Sequence, residues 1–299
     1  MLELIRRLLG GAPTPIRGRA TTAPLSQADI DSALGASETP YEMRQLVSAS
    51  GQSVGHQRDH NEDSLLAITA TLAGKSSNVP FGLYIVADGM GGHQFGEVAS
   101  NAAIRVIAGH IIRRFHSYLF AVPTQQPEEP LQEIMAEAIE LAHRSVQQEA
   151  PGSGTTVTSV LVLGEQMTIG HVGDSRAYAI SAAGHAQQLT HDHSLVSRLE
   201  ELGHLNKEEA ANYPHRNVLI RALGQGDNLE ADIFTLPFPQ AGTLMLCTDG
   251  LWGVLGDNAF REALATAPTL QQACHSLVQA ANAAGGPDNI SVVLVQMVG

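Results

Sequence analysis

The sequence predicts an α+β layered sandwich, and three observations support this fold class. Short apolar segments rich in β-branched residues and punctuated by glycine recur along the chain, as is typical of strands. Three longer segments repeat apolar residues with helical spacing. The strands follow one another closely enough to pair mainly as hairpins. We therefore expect sheets with helices packed on their outer faces.

One domain is predicted over residues 45–299, preceded by a flexible arm or linker over residues 1–44. Residues 10 to about 40 are rich in Gly, Pro, Ala, Ser and Thr and show no sustained period. The 299 residues are 43% hydrophobic, which is enough to bury a sizeable core.

The strands are predicted where apolar, β-branched runs are short and end at glycine or another turn residue. In chain order they lie at 63–69, 81–87, 155–163, 167–173, 176–180, 243–248 and 290–298.

Three helices are predicted over 97–119, 130–149 and 269–284, because apolar residues in each recur on one face. The first two are adjacent in sequence and are expected to cover one sheet as a pair, while the third covers another. In the first helix the core-facing residues are expected to be Val98, Ala102, Val106 and Ile107.

Composition excludes several classes of protein. With 30 acidic against 17 basic residues, the formal charge of −13 argues against a protein that coats nucleic acid. No apolar run approaches the roughly 18 residues of a membrane helix, so no integral membrane segment is predicted. Cys247 and Cys274 are too few for a disulfide framework and lack zinc spacing. A reducing compartment, the cytoplasm, is expected, and the chain is expected to be a monomer.

Acidic residues recur at the ends of the predicted strands. Asp88, Asp174 and Asp249 each follow an apolar run and have glycine beside them, and Asp288 comes just before the last strand. Glu62-Asp63 opens the strand at 63. A single Asp-Gly pair is more often a turn than a site.

Several converging carboxylates would instead repel one another and take up protons unless cations neutralised them. Ligands that are all oxygen, without His or Cys, indicate Mg²⁺ or Mn²⁺ rather than zinc or copper. Mg²⁺ or Mn²⁺ is therefore the predicted cofactor.

These acids belong to short motifs that follow one another over most of residues 50–299. The motifs are Arg58-Asp59-His60-Asn61-Glu62-Asp63, Ala87-Asp88-Gly89-Met90-Gly91-Gly92-His93, Gly154-Thr155-Thr156, His171-Val172-Gly173-Asp174-Ser175-Arg176, Leu189-Thr190-His191-Asp192-His193-Ser194-Leu195-Val196, Thr248-Asp249-Gly250-Leu251-Trp252 and Asp288-Asn289-Ile290-Ser291-Val292. In type and order they resemble the metal-dependent protein phosphatases, also called type 2C serine/threonine phosphatases, in their bacterial form. Each motif alone is weak, but the series is specific.

The resemblance implies a four-layer αββα sandwich of two antiparallel sheets flanked by helices, with metals at one end between the sheets. It implies that the enzyme hydrolyses phosphomonoesters of Ser/Thr phosphoproteins, the substrates of a Ser/Thr kinase, through a metal-activated water. A segment at about 190–225 would form the mobile flap of that family, in which His191 and His193 are expected to be solvated or hydrogen-bonded rather than metal-binding.

The resemblance also implies roles for individual residues. Asp88 would bridge two metals and the Gly89 carbonyl would ligate one of them. The remaining metal ligands would be Asp249 and Asp288 for the first ion, Glu62 and Asp63 for the second, and Asp174 with Asp249 for a third, weaker ion. Arg58 would bind the substrate phosphate, which suits its planar, two-pronged donor.

Three alternatives stay open in the sequence. Many members of the family have a histidine after Asp-Gly to protonate the leaving group, whereas this chain has Met90, so either His93 or a water would serve. Asp174 would be structural if it only pairs with Arg176 or caps a turn. The whole chain would be a pseudophosphatase or phosphoprotein-binding scaffold if its ligand set were incomplete, and none of Asp88, Asp249 and Asp288 is missing.

Overall fold

The computed structural model describes residues 43–73, 78–91, 95–121, 129–206, 209–210, 213–215 and 217–299. Residues 43–299 form one compact unit. The predicted arm falls almost entirely on residues 1–42, which lie outside the described part of the chain.

Two antiparallel sheets form the centre of this unit. The first sheet has the strand order β1-β11-β10-β7-β8, and the second has the order β2-β3-β5-β6-β9 with a short β4 paired to β3. The strands are β1 Gln45–Ser53, β2 Asp63–Ala73, β3 Asn78–Met90, β4 Gly154–Thr155, β5 Val157–Leu163, β6 Gln166–Val172, β7 Arg176–Ile180, β8 Ala186–Gln188, β9 Asp232–Pro237, β10 Thr243–Cys247 and β11 Ile290–Val298.

Helices cover the outer face of each sheet. In the described residues they are α1 Phe95–Phe120, α2 Leu131–Glu149, α3 Leu195–Glu201, α4 Asp249–Trp252, α5 Asp257–Thr266 and α6 Leu270–Ala283. None of them is long and apolar enough to cross a membrane.

Three layers of buried side chains hold the sandwich together, and strand β3 shows why. Leu83 and Ile85 point outward into the core beneath α1 and α2, while Tyr84 and Val86 point inward to the other sheet. This alternation follows from the two-residue period of a strand buried on both faces. A third core lies beneath α5 and α6. The predicted αββα sandwich is confirmed.

The strand prediction was incomplete at the sheet edges. Strands β1, β8 and β9 were not predicted, and the predicted strand 155–163 is interrupted at Thr156. Strand β1 reads QLVSASGQS and buries only Leu46 and Ala49, because an edge strand of this kind has little apolar periodicity. The short helices α3, α4 and α5 were missed as well.

The predicted core face of the first helix was right at Ile107, which is fully buried, and displaced at the other three residues. Val98 is 40% exposed, and Ala102 and Val106 are only partly buried. The buried row instead repeats every four residues, one position further along: Ala99, Ala103, Ile107, Ile111 and Phe115. The prediction followed the first apolar residues, whereas the aromatic end of the helix decides which face packs inward. The expected pairing of the first two helices over one sheet is confirmed.

Candidate metal and phosphate site

The acids predicted from the strand ends meet at one end of the sandwich. Asp63 at the start of β2 lies directly opposite Asp88 near the end of β3. Asp249 follows β10 and Asp288 precedes β11, so the antiparallel neighbours of the other sheet bring their acids to the same end. Asp174 lies in the turn between β6 and β7. Antiparallel pairing within each sheet, and the crossing from β6 to β7 between the sheets, therefore bring distant sequence positions into one cluster.

A cavity of about 550 Å³ opens at this end. The predicted site residues that line it are Arg58, Glu62, Asp88, Gly89, Asp174, Asp249 and Asp288. Asp63 is buried and does not line it. His93, the predicted proton donor, lies outside the described residues.

Asp63 ties the two sheets together beneath the cavity. Its Oδ2 accepts hydrogen bonds from the hydroxyls of Thr248 (2.8 Å) and Ser291 (2.7 Å), both on the other sheet's side of the sandwich. Its Oδ1 is buried without a partner among the described residues. Asp63 is thus held rigidly with one oxygen free.

Asp88 is fixed through its backbone. Its N–H donates to the Thr156 hydroxyl at 2.9 Å, and its carbonyl accepts from the Thr156 N–H at 2.8 Å and from the Thr155 hydroxyl at 2.9 Å. These contacts leave the Asp88 carboxyl group to face the cavity.

Gly89 is required by a close approach of backbone. A Cβ at this position would lie 2.1 Å from the Gly96 carbonyl oxygen and 2.7 Å from that of Glu62. The Gly89 N–H donates to the same Glu62 carbonyl at 3.1 Å. Any side chain would push apart the segments that carry Glu62 and Asp88.

The acids raise one another's affinity for protons. Burial, and then the charges of Asp63 and Asp249, hold the pKa of Asp88 well above its ordinary value. Burial raises the pKa of Asp63 to about 7 against the lowering effect of its two hydroxyl donors. Burial and the charge of Asp288 raise the pKa of Asp249 to about 6, and burial with the charge of Asp249 raises that of Asp174. Such a cluster is stable with protons or with cations, not as bare carboxylates.

The donor set fits divalent cations of the hard, oxygen-binding kind. Within the described residues, buried carboxylate oxygens without hydrogen-bond partners belong to Glu62 (Oε1), Asp63 (Oδ1) and Asp249 (Oδ1). Orphaned buried acceptors of this kind are costly unless a ligand satisfies them. Among the described residues, no group of three or more His, Cys, Asp or Glu side chains is arranged to hold an ion by itself. Mg²⁺ in proteins usually keeps several water ligands beside one or two carboxylates.

Arg58 lies at the rim of the cavity. Its Nη2 donates to Asp288 Oδ2 at 2.7 Å, and its side chain is 47% exposed. The guanidinium has further donors and is close enough to solvent to meet a ligand entering the cavity.

Asp174 forms no ion pair with Arg176, which removes that half of the structural alternative, whereas a role in the turn between β6 and β7 stays open. The Arg176 guanidinium instead donates hydrogen bonds of 2.7–3.2 Å to the Asp192 carboxylate, and it stacks 3.4 Å from the centre of the Trp252 ring. The Trp252 indole N–H donates to the Asp174 carbonyl at 3.0 Å. The backbone of Asp174 is anchored while its carboxyl group lines the cavity.

Several positioning residues had no role assigned from sequence. The Asn289 side chain accepts a hydrogen bond from the Glu62 N–H at 2.7 Å and donates to the carbonyls of Val54 and His60. These contacts fix the loop that carries Arg58. The hydroxyls of Thr156, Thr248 and Ser291 hold the acids described above. Their only sequence signal is adjacency to the acids within the same motifs.

The segment predicted as the flap, at about 190–225, is hydrogen-bonded to the site near both of its ends. At its start, the Gly173 N–H donates to His193 Nδ1 at 3.2 Å and the His193 N–H donates to the Gly173 carbonyl at 2.7 Å. At its end, Leu223 and Thr155 exchange two backbone hydrogen bonds. Buried His193 and exposed His191 both form hydrogen bonds, and neither lines the acidic cavity.

Comparison with known proteins agrees with this geometry. Residues 50–294 match the family described as protein phosphatase 2C. The serine/threonine phosphatase stp of Listeria monocytogenes is 36% identical over 244 residues, which cover 81% of this chain and 92% of that protein. The crystal structure of Mycobacterium tuberculosis serine/threonine phosphatase PstP/Ppp aligns with a TM-score of 0.68 at 30% identity, covering 84% of this chain and 98% of that one. A structure of the PstP catalytic domain with two manganese ions aligns at 0.67 and 29% identity, covering 86% and 100%.

Fold, acidic cavity and relatives together define the class of metal-dependent phosphatases. The chain belongs to the protein phosphatase 2C family.

Proposed function

We propose that the chain is a protein serine/threonine phosphatase that hydrolyses phosphomonoesters at a centre of two divalent cations, with a third at Asp174. The observation that carries this proposal is the set of buried carboxylate oxygens without hydrogen-bond partners on Glu62 and Asp249, which line the cavity, and on Asp63, which does not, with Arg58 at the rim. The relative from Listeria monocytogenes is named a serine/threonine phosphatase, which supports the substrate class.

Each residue contributes a separate part of the chemistry. Asp88, the Gly89 carbonyl, Asp249 and Asp288 would hold the first cation. Asp88, Glu62 and Asp63 would hold the second, with Asp63 acting through water because it does not line the cavity. When bound, Mg²⁺ or Mn²⁺ lowers the pKa of water and offsets negative charge on the phosphoryl group. Arg58 orients the phosphate and stabilises charge on its outer oxygens.

The leaving oxygen needs a proton. Met90 follows Asp88-Gly89 and has no titratable group. His93 is proposed for this role, with water as the alternative donor. The substrates are proposed to be the phosphoproteins made by a Ser/Thr kinase. The free, buried thiols of Cys247 and Cys274 suit the proposed cytoplasmic location.

Phosphate release by the wild type, compared with release by an Asp249 variant, distinguishes an enzyme from a scaffold that only binds phosphoproteins. Wild-type protein with Mn²⁺ should release phosphate from a phosphoserine peptide, and Asp249→Asn should lower kcat/KM by about three orders of magnitude or more because a cation ligand is lost. Asp227→Asn, the same change on an exposed loop, is the control. Peptide binding by fluorescence anisotropy without phosphate release from the wild type would instead identify a scaffold.

A further inference from the structure

The flap contains a short two-stranded ladder beside the acidic cavity. Ser194 and Leu219 form an antiparallel bridge. The Leu195 N–H donates to the Val218 carbonyl at 2.8 Å, and the Ile220 N–H donates to the His193 carbonyl at 2.9 Å. In this pattern the bridged residues are a non-hydrogen-bonded pair, whose own N–H and C=O groups point away from the opposite strand.

Leu219 therefore presents an open strand edge. Among the described residues, neither its N–H nor its C=O takes part in a backbone hydrogen bond. Leu219 also lines the cavity together with Asn217, as Arg58 does. A free donor and a free acceptor thus lie next to the place where a phosphate would bind.

The side chains on either side of Leu219 are exposed and apolar. Val218 is 46% exposed and Ile220 is 49% exposed. Successive side chains of an extended segment point to opposite faces, so Val218 and Ile220 share the face opposite to Leu219. The ladder has a cavity face at Leu219 and an apolar face at its two neighbours.

We propose that this edge binds the substrate as an added strand. An extended phosphopeptide pairs its backbone with Leu219, which supplies two main-chain hydrogen bonds. A residue opposite Leu219 has its side chain on the same face, so the phosphorylated side chain enters the cavity. This inference rests on the proposed function and specifies how that site selects its substrates.

The pairing determines which flanking residues are preferred. The residues directly before and after the phosphorylated one fall on the face of Val218 and Ile220. Apolar side chains there bury surface against both, whereas glycine gains nothing and aspartate loses solvation. The expected preference for valine over glycine at these positions is about tenfold in kcat/KM.

Peptide variants test the pairing on the unaltered, Mn²⁺-loaded enzyme. Seven-residue phosphoserine peptides with valine, glycine or aspartate on both sides of the phosphoserine are compared by kcat/KM. A second set has the valine peptide N-methylated either at the phosphoserine or at the following residue. Only alternate amides of an added strand face its neighbour, so methylation at the phosphoserine, whose N–H pairs with Leu219, should lower kcat/KM about tenfold, and methylation at the following residue should be tolerated.

Protein variants test the flap face. Val218→Glu and Ile220→Glu should each reduce the valine-to-glycine preference to about twofold or less, since a charge replaces the apolar contact. Val47→Glu is the matched control, because Val47 is 44% exposed on β1 and is paired with Gln296, far along β11 from Asp288. It should keep the full preference.

The outcomes separate this inference from the proposed function. Hydrolysis of p-nitrophenyl phosphate, which has no peptide backbone, reports the cation site alone. If that compound is hydrolysed but flanking residues and both N-methyl groups change kcat/KM by less than about twofold, strand addition at Leu219 is wrong. Equal loss at both methylated amides contradicts it too, and indicates that the peptide is not extended. No hydrolysis of any compound overturns the proposed function itself.

Discussion

At the scale of single residues, the site depends on acids held in place by neutral partners. Asp63 keeps one oxygen bonded to two hydroxyls and leaves the other free, and Asp88 is fixed by the backbone and hydroxyls of Thr155 and Thr156. Because these partners are uncharged, they hold the two acids in place without neutralising the carboxylates. The negative charge stays available for cations.

Arg58 is predicted to bind the substrate phosphate. Arg58→Ala should raise KM for a phosphopeptide by about tenfold or more, the range expected for a lost hydrogen bond to a charged group. Arg58→Lys keeps the charge but loses the two-pronged geometry, so its KM should lie between that of the wild type and that of Arg58→Ala. Steady-state kinetics on the three proteins provide the measurement. An unchanged KM and kcat in Arg58→Ala would leave Arg58 as a partner of Asp288 only.

Asp174 is predicted to hold the third, weakly bound cation. Since Arg176 is paired with Asp192 instead, removing the Asp174 carboxyl breaks no ion pair with Arg176. Asp174→Ala should leave the melting temperature nearly unchanged, while turnover falls and the weak component of the Mn²⁺ response disappears. Activity titrations beside thermal melts measure both, with Asp227→Ala as control. Superimposable titrations with a lowered melting temperature would show that Asp174 is structural.

At the scale of elements, His193 joins the flap to the turn that carries Asp174. Its Nδ1 accepts the Gly173 N–H, and its Nε2 lies 3.2 Å from Asp232 Oδ2 and 3.3 Å from Arg221 Nη1. Its ring also lies 4.9 Å from that of His171. A proton on Nδ1 would face the Gly173 N–H, so the neutral ring fits this position. Burial lowers the pKa of His193 below its ordinary value.

The lowered pKa of His193 predicts that its contribution to the stability of the fold decreases as the pH falls. A histidine with a depressed folded-state pKa stabilises the fold fully above its unfolded pKa of about 6.5, and that contribution is lost as pH falls below it. His193→Asn keeps an acceptor for Gly173 but does not titrate. Between pH 7 and pH 5 the wild type should lose more free energy of unfolding than the variant, by at most about 1.4 kcal/mol per pH unit.

Urea denaturation at several pH values measures this difference. The acidic cluster titrates with the opposite sign, because raised pKa values make the folded state bind more protons, but it is common to both proteins and cancels in the comparison. Parallel pH profiles for wild type and His193→Asn would show that His193 is not protonated on unfolding.

The same scale shows which elements could be predicted from sequence. Strands such as β3 and β11 are buried on both faces, so their apolar runs were visible. The edge strands β1 and β9 bury few side chains and owe their conformation to pairing with β11 and β6. The core face of α1 was misplaced because Val98 is apolar but exposed. Contacts made by tertiary packing leave little trace in local periodicity.

At the scale of the whole molecule, the sandwich itself builds the site. The acids come from both sheets, and Asp63 links the sheets at that end through Thr248 and Ser291. The strand-end acids could be recognised from sequence because each follows or precedes an apolar strand, with glycine or a turn residue beside it. The hydroxyl and amide groups that orient them could not be, because such residues are common in any loop.

The central claim is that this acidic cluster is a cation site that makes the chain a phosphatase. The most direct test is phosphate release from a phosphoserine peptide by metal-stripped wild-type protein, followed as MnCl₂ is added. If the acidic cluster binds the catalytic cations, there should be no measurable release without metal, a saturable rise with Mn²⁺, and a return to the baseline on addition of excess EDTA. Full activity of the metal-stripped protein in EDTA would contradict it.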